Sequence, residues 1–388
     1  MKIRLFYHSL VSDWNHGNAH FLRGVVSELK ARRHDVVVYE PADAWSTRNL
    51  VAEHGRGPLR RFHTAYPRLR SVRYDPAHFN VERAVADADL VIVHEWNPPA
   101  LIARIGEARR RREFVLLFHD THHRLVSDYA AMGAYDLTHF DGVLAYGEVL
   151  RRLYLAEHLT TRAWTWHEAA DTRRFRPIES RTLAGDLVWI GNWGDGERAE
   201  ELMEFLIRPV KTLGLKARVY GVRYPDHARA ALADAGIEYG GWLANFDVPG
   251  VFAQFKVTVH VPRRPYVKQL PGIPTIRPFE ALACGIPLVC SPWRDTEHLF
   301  TPGKDFLVAR DGAQMTRHLQ ALVNDEAKRH RLAAHGLATL RARHTCAHRV
   351  DQLLAIRAEL MEERHTVIVP ATKLFRRKPA ATHAAAAS

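Results

Sequence analysis

Cysteine is nearly absent: Cys284, Cys290 and Cys346 are the only three in 388 residues. Three thiols make no disulfide framework, and two of them lie in one apolar stretch. The sequence therefore reads as a reduced, cytoplasmic protein held by its core. Long apolar runs are missing as well, none reaching the roughly 18 residues a membrane-spanning helix needs. The opening MKIRLFYHSL turns polar too soon for a secretory leader and reads as a first β-strand. Zinc-finger spacings and RNP-type aromatic motifs are lacking, so nucleic acid is not an expected partner. Acidic residues are outnumbered, 43 against 55 Lys and Arg, leaving a formal charge of +12. That surplus suits phosphate-bearing ligands and peripheral contact with an anionic membrane, or simply a solvated arginine surface.

What remains is an ordinary globular composition, 47% hydrophobic and 25% charged, with length for two domains. Ile3 to Tyr7 reads as a strand. A helix follows with Phe21, Leu22, Val25, Val26 and Leu29 at helical spacing and Asn18 as its cap, and Val36 to Tyr39 is a second strand. This is a βαβ unit, and its glycine loop at Gly17 and Asn18 presents backbone N–H groups to a ligand. Residues 45–80 are basic and aromatic without clear period, and fit either helical arms over a cleft or a surface loop. Further strands end in His94-Glu95-Trp96 and in His119-Asp120-Thr121-His122-His123. Three histidines within five residues of a strand-to-loop turn cannot all face one ion, so no metal is expected. Ligands of open α/β sheets sit beyond the carboxyl ends of strands, where His119 lies. A loop histidine bonded to backbone is the plainer reading of the same residue.

The alternation restarts at Leu187. A strand runs into Gly191-Asn192-Trp193-Gly194-Asp195-Gly196 and then into a helix, a geometry that favours anions. Arg198 follows the turn, and the loop VPRRPYVKQLPG brings Arg263 and Lys268, either to phosphates or merely to solvent. Next comes GIPTIRPFEALACGIPLVCSPW: a short helix ended by Gly285, then a buried strand. Arg277 and Glu280, three apart, share a face of this otherwise oily helix. Either they form a structural ion pair, or the carboxylate is held for a ligand.

FEALACGIPLVCS resembles the signature of the GT-B glycosyltransferases, especially family 4 and the CgeB-like branch. The resemblance spreads more weakly over residues 1–345, through WNHGNAHFLRGVVSELK and through HEAADTRRFRP at the interdomain passage. It implies an α/β protein of two Rossmann-like, doubly wound domains facing across a cleft. The corresponding boundaries are 1–167 for the acceptor-side domain, 168–184 for a linker and 185–345 for the nucleotide-sugar domain. A C-terminal helix, 346–373, then returns to the first domain, ahead of a disordered tail, 374–388. The implied activity is glycosyl transfer from a nucleotide-sugar, retaining and metal-independent, with no cofactor. The acceptor would be a glycan, a lipid-linked sugar or a small molecule. Glu280 would take the ribose hydroxyls, Arg277 and Arg198 the phosphates, with Gly191, Asn192 and Gly194 shaping the turn, and His119 would meet the donor sugar as the catalytic residue. Where many relatives have a second glutamate, this chain has Gly272. An epimerase of the same architecture and a non-catalytic nucleotide- or glycan-binding assembly protein are the alternatives.

Overall fold

The computed structural model describes residues 1–180 and 182–368. Among these, the strands form two sheets, and every pairing is parallel. The first contains β1 (Lys2–Phe6), β2 (Asp35–Pro41), β3 (Ser71–Tyr74), β4 (Leu90–His94), β5 (Val115–Asp120), β6 (Gly142–Ala145) and β7 (Ala163–Thr165). Its order is 3-2-1-4-5-6-7. The second contains β8 (Gly185–Ile190), β9 (Ala217–Tyr220), β10 (Glu238–Tyr239), β11 (Phe255–His260), β12 (Leu288–Cys290) and β13 (Leu307–Val308), in the order 10-9-8-11-12-13. Each sheet reverses direction beside its first strand, β1 or β8, and open α/β sheets in general take ligands outside the carboxyl ends at such a point. β4 and β5 are buried along their whole length, as unbroken apolar runs in a parallel sheet should be.

The helix Asn18–Ala31 buries Phe21, Leu22, Val25, Val26 and Leu29 against one face of the first sheet. Asn18 is not its cap. Gly17 holds that position without a side-chain bond, and Asn18 is the first helical residue, its amide donating to Glu168 Oε1 at 3.4 Å. The segment that lacked periodicity is ordered: helices Trp45–His54 and Gly57–Ala65 precede β3. Arg61 of the second helix reaches Asp247 at 2.5 Å and lies 5.3 Å from the Phe246 ring centroid, so this arm touches the second domain.

Between β7 and β8 the described chain contains no helix or strand, only an isolated bridge from Ala170 to Thr345. There Ala170 N donates to His344 O at 3.0 Å and Cys346 N to Ala170 O at 2.9 Å. The final helix, Cys346–Ile368, recrosses to the first domain, burying Val350, Leu353, Ile356 and Leu360 in the same core as Phe21 and Val25. The close approach needs Gly24, because a Cβ there would stand 2.3 Å from Cys346 Sγ. The tail expected at 374–388 lies outside the described residues.

Candidate active site at the interdomain seam

The helix Ile276–Cys284 ends at Gly285 in the left-handed region (φ 68°), as read from the sequence. Its Glu280 is fully buried. Oε2 pairs with Arg277, while Oε1 accepts from Asn245 Nδ2 at 2.6 Å and faces His20 Nδ1 at 3.2 Å. His20 Nε2 accepts the Asp171 backbone N–H at 2.9 Å, which leaves the imidazole proton on Nδ1, toward the carboxylate. Burial alone would raise the Glu280 pKa; Arg277, then His20 and Asn245, outweigh it and hold it below the ordinary value. The ion pair weighed from the spacing is therefore formed, and His20 adds a partner from the other domain.

The turn after β8 folds over Arg198. Its Nη2 donates to Asn192 O and Oδ1, both at 2.8 Å, and its Nη1 to Val261 O at 2.9 Å. Gly194 (φ +96°) is required, since a Cβ would meet Arg198 Cγ at 2.6 Å. Arg263 joins the cluster through Asn192 Oδ1 at 3.2 Å and Glu197 Oε2 at 2.5 Å. Burial, then repulsion from Arg263, pushes the Arg198 pKa down to about 9, so it stays cationic at neutral pH. Burial, then Arg198 and Arg277, pushes His260 down to about 3. Arg198 thus lies within electrostatic reach of both Arg263 and Arg277, and it shares the turn with Arg263 through Asn192. Lys268 does not join them; it is exposed at the end of the short helix Arg264–Lys268.

Across the seam, His119 is fully buried at the end of β5. Its Nδ1 lies 2.7 Å from Tyr7 Oη, its ring packs 4.8 Å from Trp166, and burial pushes its pKa down to about 3. It is a neutral imidazole whose Nε2 has no partner among the described residues. The neighbouring histidines take different hydrogen-bond partners. His94 Nε2 meets Thr121 Oγ1 at 3.0 Å, and His123 Nδ1 meets Ser127 Oγ at 2.8 Å. His123 Nε2 stands 3.5 Å from Glu197 of the second domain.

Sequence reading missed three seam residues, His20, Glu168 and Glu297, because each works through a partner more than a hundred positions away. Glu297 takes the Glu148 backbone N–H at 3.0 Å and His167 Nε2 at 2.8 Å. Its Oε1 would stand 3.2 Å from a Cβ on Gly272 (φ +98°). A carboxylate therefore reaches the neighbourhood of position 272 from another loop. Glu168 is buried beside Asn18. Burial, reinforced by Glu280 and opposed by Asn18 and Arg277, pushes its pKa up to about 8. Folding thus keeps a proton on Glu168 that the unfolded chain, titrating near 4.5, releases. The resulting stability is complete below that pH and is lost as pH rises through about 8. Glu168→Gln should match the parent melting temperature near pH 5 and exceed it by several degrees at pH 9. A gap that does not change with pH in thermal scans would remove the buried-acid assignment.

Two open cavities of about 480 Å³ flank this seam. One lies between the arm and the second domain, lined by Arg60, Arg61, Arg174 and Phe246. The other adjoins the glycine turn through Trp193 and Gly196, with Tyr224 and His227. Neither contains Glu280, which has partners from both domains, or His119, which sits among Tyr7, Phe21, His94 and Trp166 of the first.

A family model described as glycosyl transferase-like matches residues 198–355, from Arg198 into the final helix. No curated protein matches the chain. Among solved structures, sucrose-phosphate synthase from Thermosynechococcus elongatus is similar over 94% of this chain and 100% of its own, with TM-score 0.66 and 15% identity. HepE of Anabaena, in complex with UDP and glucose, covers 92% and 100% with TM-score 0.63 and 13% identity. An alpha-glucosyltransferase in complex with UDP-glucose and DNA covers 92% and 99% with TM-score 0.68 and 14% identity. The chain is a two-domain GT-B protein. Its second domain is glycosyl transferase-like. The DNA complex lends no support to setting nucleic acid aside on sequence grounds. Among the described residues, no helix is long and apolar enough to cross a membrane.

Proposed function

We propose that the protein transfers a sugar from a nucleotide-sugar, UDP-linked as in the similar structures, to a hydroxyl acceptor held by the first domain. The observation that carries this reading is the convergence of Arg198 and Arg263 on the turn Gly191–Gly196, at the carboxyl end of β8, with Arg277 near enough for its charge to act on Arg198. Guanidiniums at that place can neutralise charge growing on a leaving diphosphate. Glu280 is assigned to the ribose hydroxyls. His20 belongs to the opposite domain, so separating the domains would take it from Oε1, opening a place there for a ribose hydroxyl while Asn245 keeps its bond to Oε1 and Arg277 keeps Oε2. His119, neutral and with Nε2 unpartnered, is assigned to the donor sugar.

The family 4 or CgeB-like assignment, retention of configuration and independence of metal belong to the same proposal, as does a cytoplasmic location. Residues 45–73 carry seven exposed arginines against one acid, which supports contact with a polyanion such as an anionic membrane or nucleic acid.

UDP release from UDP-sugars, with and without added glycosides and with and without chelator, tests the reading. Donor conversion without any acceptor would instead indicate an epimerase, and binding without turnover an assembly protein. NMR of the product anomer decides retention. His119→Ala should lower kcat about tenfold, the effect of one lost hydrogen bond, with donor Kd unchanged. Equal turnover would make His119 a packing residue only.

A further inference from the structure

Trp96 is the residue that the donor reading leaves unused. It stands two residues past the end of β4, where His94 and Glu95 are fully buried, yet it is 41% exposed. A single exposed indole is ordinary on a protein surface. This one is held and surrounded. The Arg124 guanidinium lies 4.5 Å from its ring centroid and is itself fixed by Glu95, through the carboxylate and through the backbone oxygen at 3.0 Å. The rings of His122, His8 and His16 lie 5.5, 5.7 and 6.2 Å from the indole. In each of these histidines Nδ1 is buried and has no hydrogen-bond partner among the described residues. Buried polar atoms left unpaired are costly, and three of them around one exposed ring mark a place built to be filled.

Resting on the glycosyl-transfer reading, we propose that Trp96, with His8, His16 and His122, forms an acceptor subsite that takes an uncharged sugar ring. The ring's C–H face would lie on the indole, and its hydroxyls would bond the three imidazole nitrogens. The chemistry of the surround selects this class. Burial, then His16 and Arg124, keeps His8 well below its ordinary pKa; burial, then His123, Arg124 and Arg263, does the same for His122; and burial, then Arg23, pushes His16 down to about 4. All three are neutral at pH 7, and the one cation at the indole, Arg124, is already matched by Glu95. Neutral imidazoles can donate and accept toward hydroxyls but offer a phosphate no charge. The subsite also lies on the path to the donor cluster: His122 stacks on His123 at 4.1 Å, and His123 faces Glu197, the partner of Arg263.

The test is a titration of the full chain, with and without saturating UDP. The probes are methyl β-D-glucopyranoside, methyl α-D-mannopyranoside and maltose, with glucose 6-phosphate as the charged control, followed by saturation-transfer NMR. At least one neutral probe should bind. Trp96→Ala should weaken it tenfold or more with UDP affinity within twofold of the parent, and Trp96→Phe should recover most of the loss. Three results each overturn the proposal: no neutral probe binds, Trp96→Ala binds as the parent does, or glucose 6-phosphate binds tenfold tighter than every neutral probe. Failure of the parent protein to bind UDP would sink the donor reading instead, and the titration without UDP still decides the subsite.

Discussion

Glu280→Ala should be the most damaging single substitution in this chain, lowering stability by about 3–5 kcal/mol, the range for removing one partner of a buried ion pair. It strands Arg277, whose side chain is mostly buried, together with Asn245 Nδ2 and the His20 proton. Urea denaturation reads the loss as a lower midpoint at unchanged slope. A second variant separates the structural duty of the carboxylate from the proposed ligand duty. Glu280→Leu combined with Arg277→Met replaces the pair by apolar groups of similar size and should regain much of the stability. It should not regain UDP affinity. Parent-like UDP binding by that double variant in calorimetry would end the ribose assignment.

Arg198→Ala should weaken UDP binding about tenfold to a hundredfold, as expected for losing hydrogen bonds from a charged donor at about 1.5–3 kcal/mol. Uridine, which has no phosphate, should bind the variant and the parent alike. That contrast matters because Arg198 also props the turn through Asn192 and Val261. An equal loss for uridine and UDP would mean that the turn had collapsed and that the arginine is a strut rather than a phosphate ligand.

The fold was largely legible in the sequence because its strands are short apolar runs buried on both faces and its helices carry a clear apolar stripe. Both signals are local. Gly285 could be read as a helix end because only a left-handed residue fits there. The glycine turn after β8 was legible for the same reason, through Gly194 and Gly196. Asn18 misled, since an asparagine at a helix start resembles a cap whether its amide turns to its own backbone or, as here, to Glu168. The seam was not legible. His20 with Glu280, Asn15 with Asn192 at 2.5 Å, and His167 with Glu297 join residues on different domains, and no spacing rule spans such distances. Gly272 showed an absence only; the carboxylate that approaches it comes from Glu297, which no motif announced. The arm at 45–80 defeated periodicity because its helices are short and mostly solvated, with only Ser46, Leu50, Pro58 and Phe62 buried.

The two places where the chain passes between domains are stitched to each other at Ala170 and Thr345. A stitched pair resists shear, because sliding one body past the other would tear both bonds at once. It yields more readily to twisting about its own line. Any relative motion of the two lobes that keeps both bonds is therefore a rotation about that line.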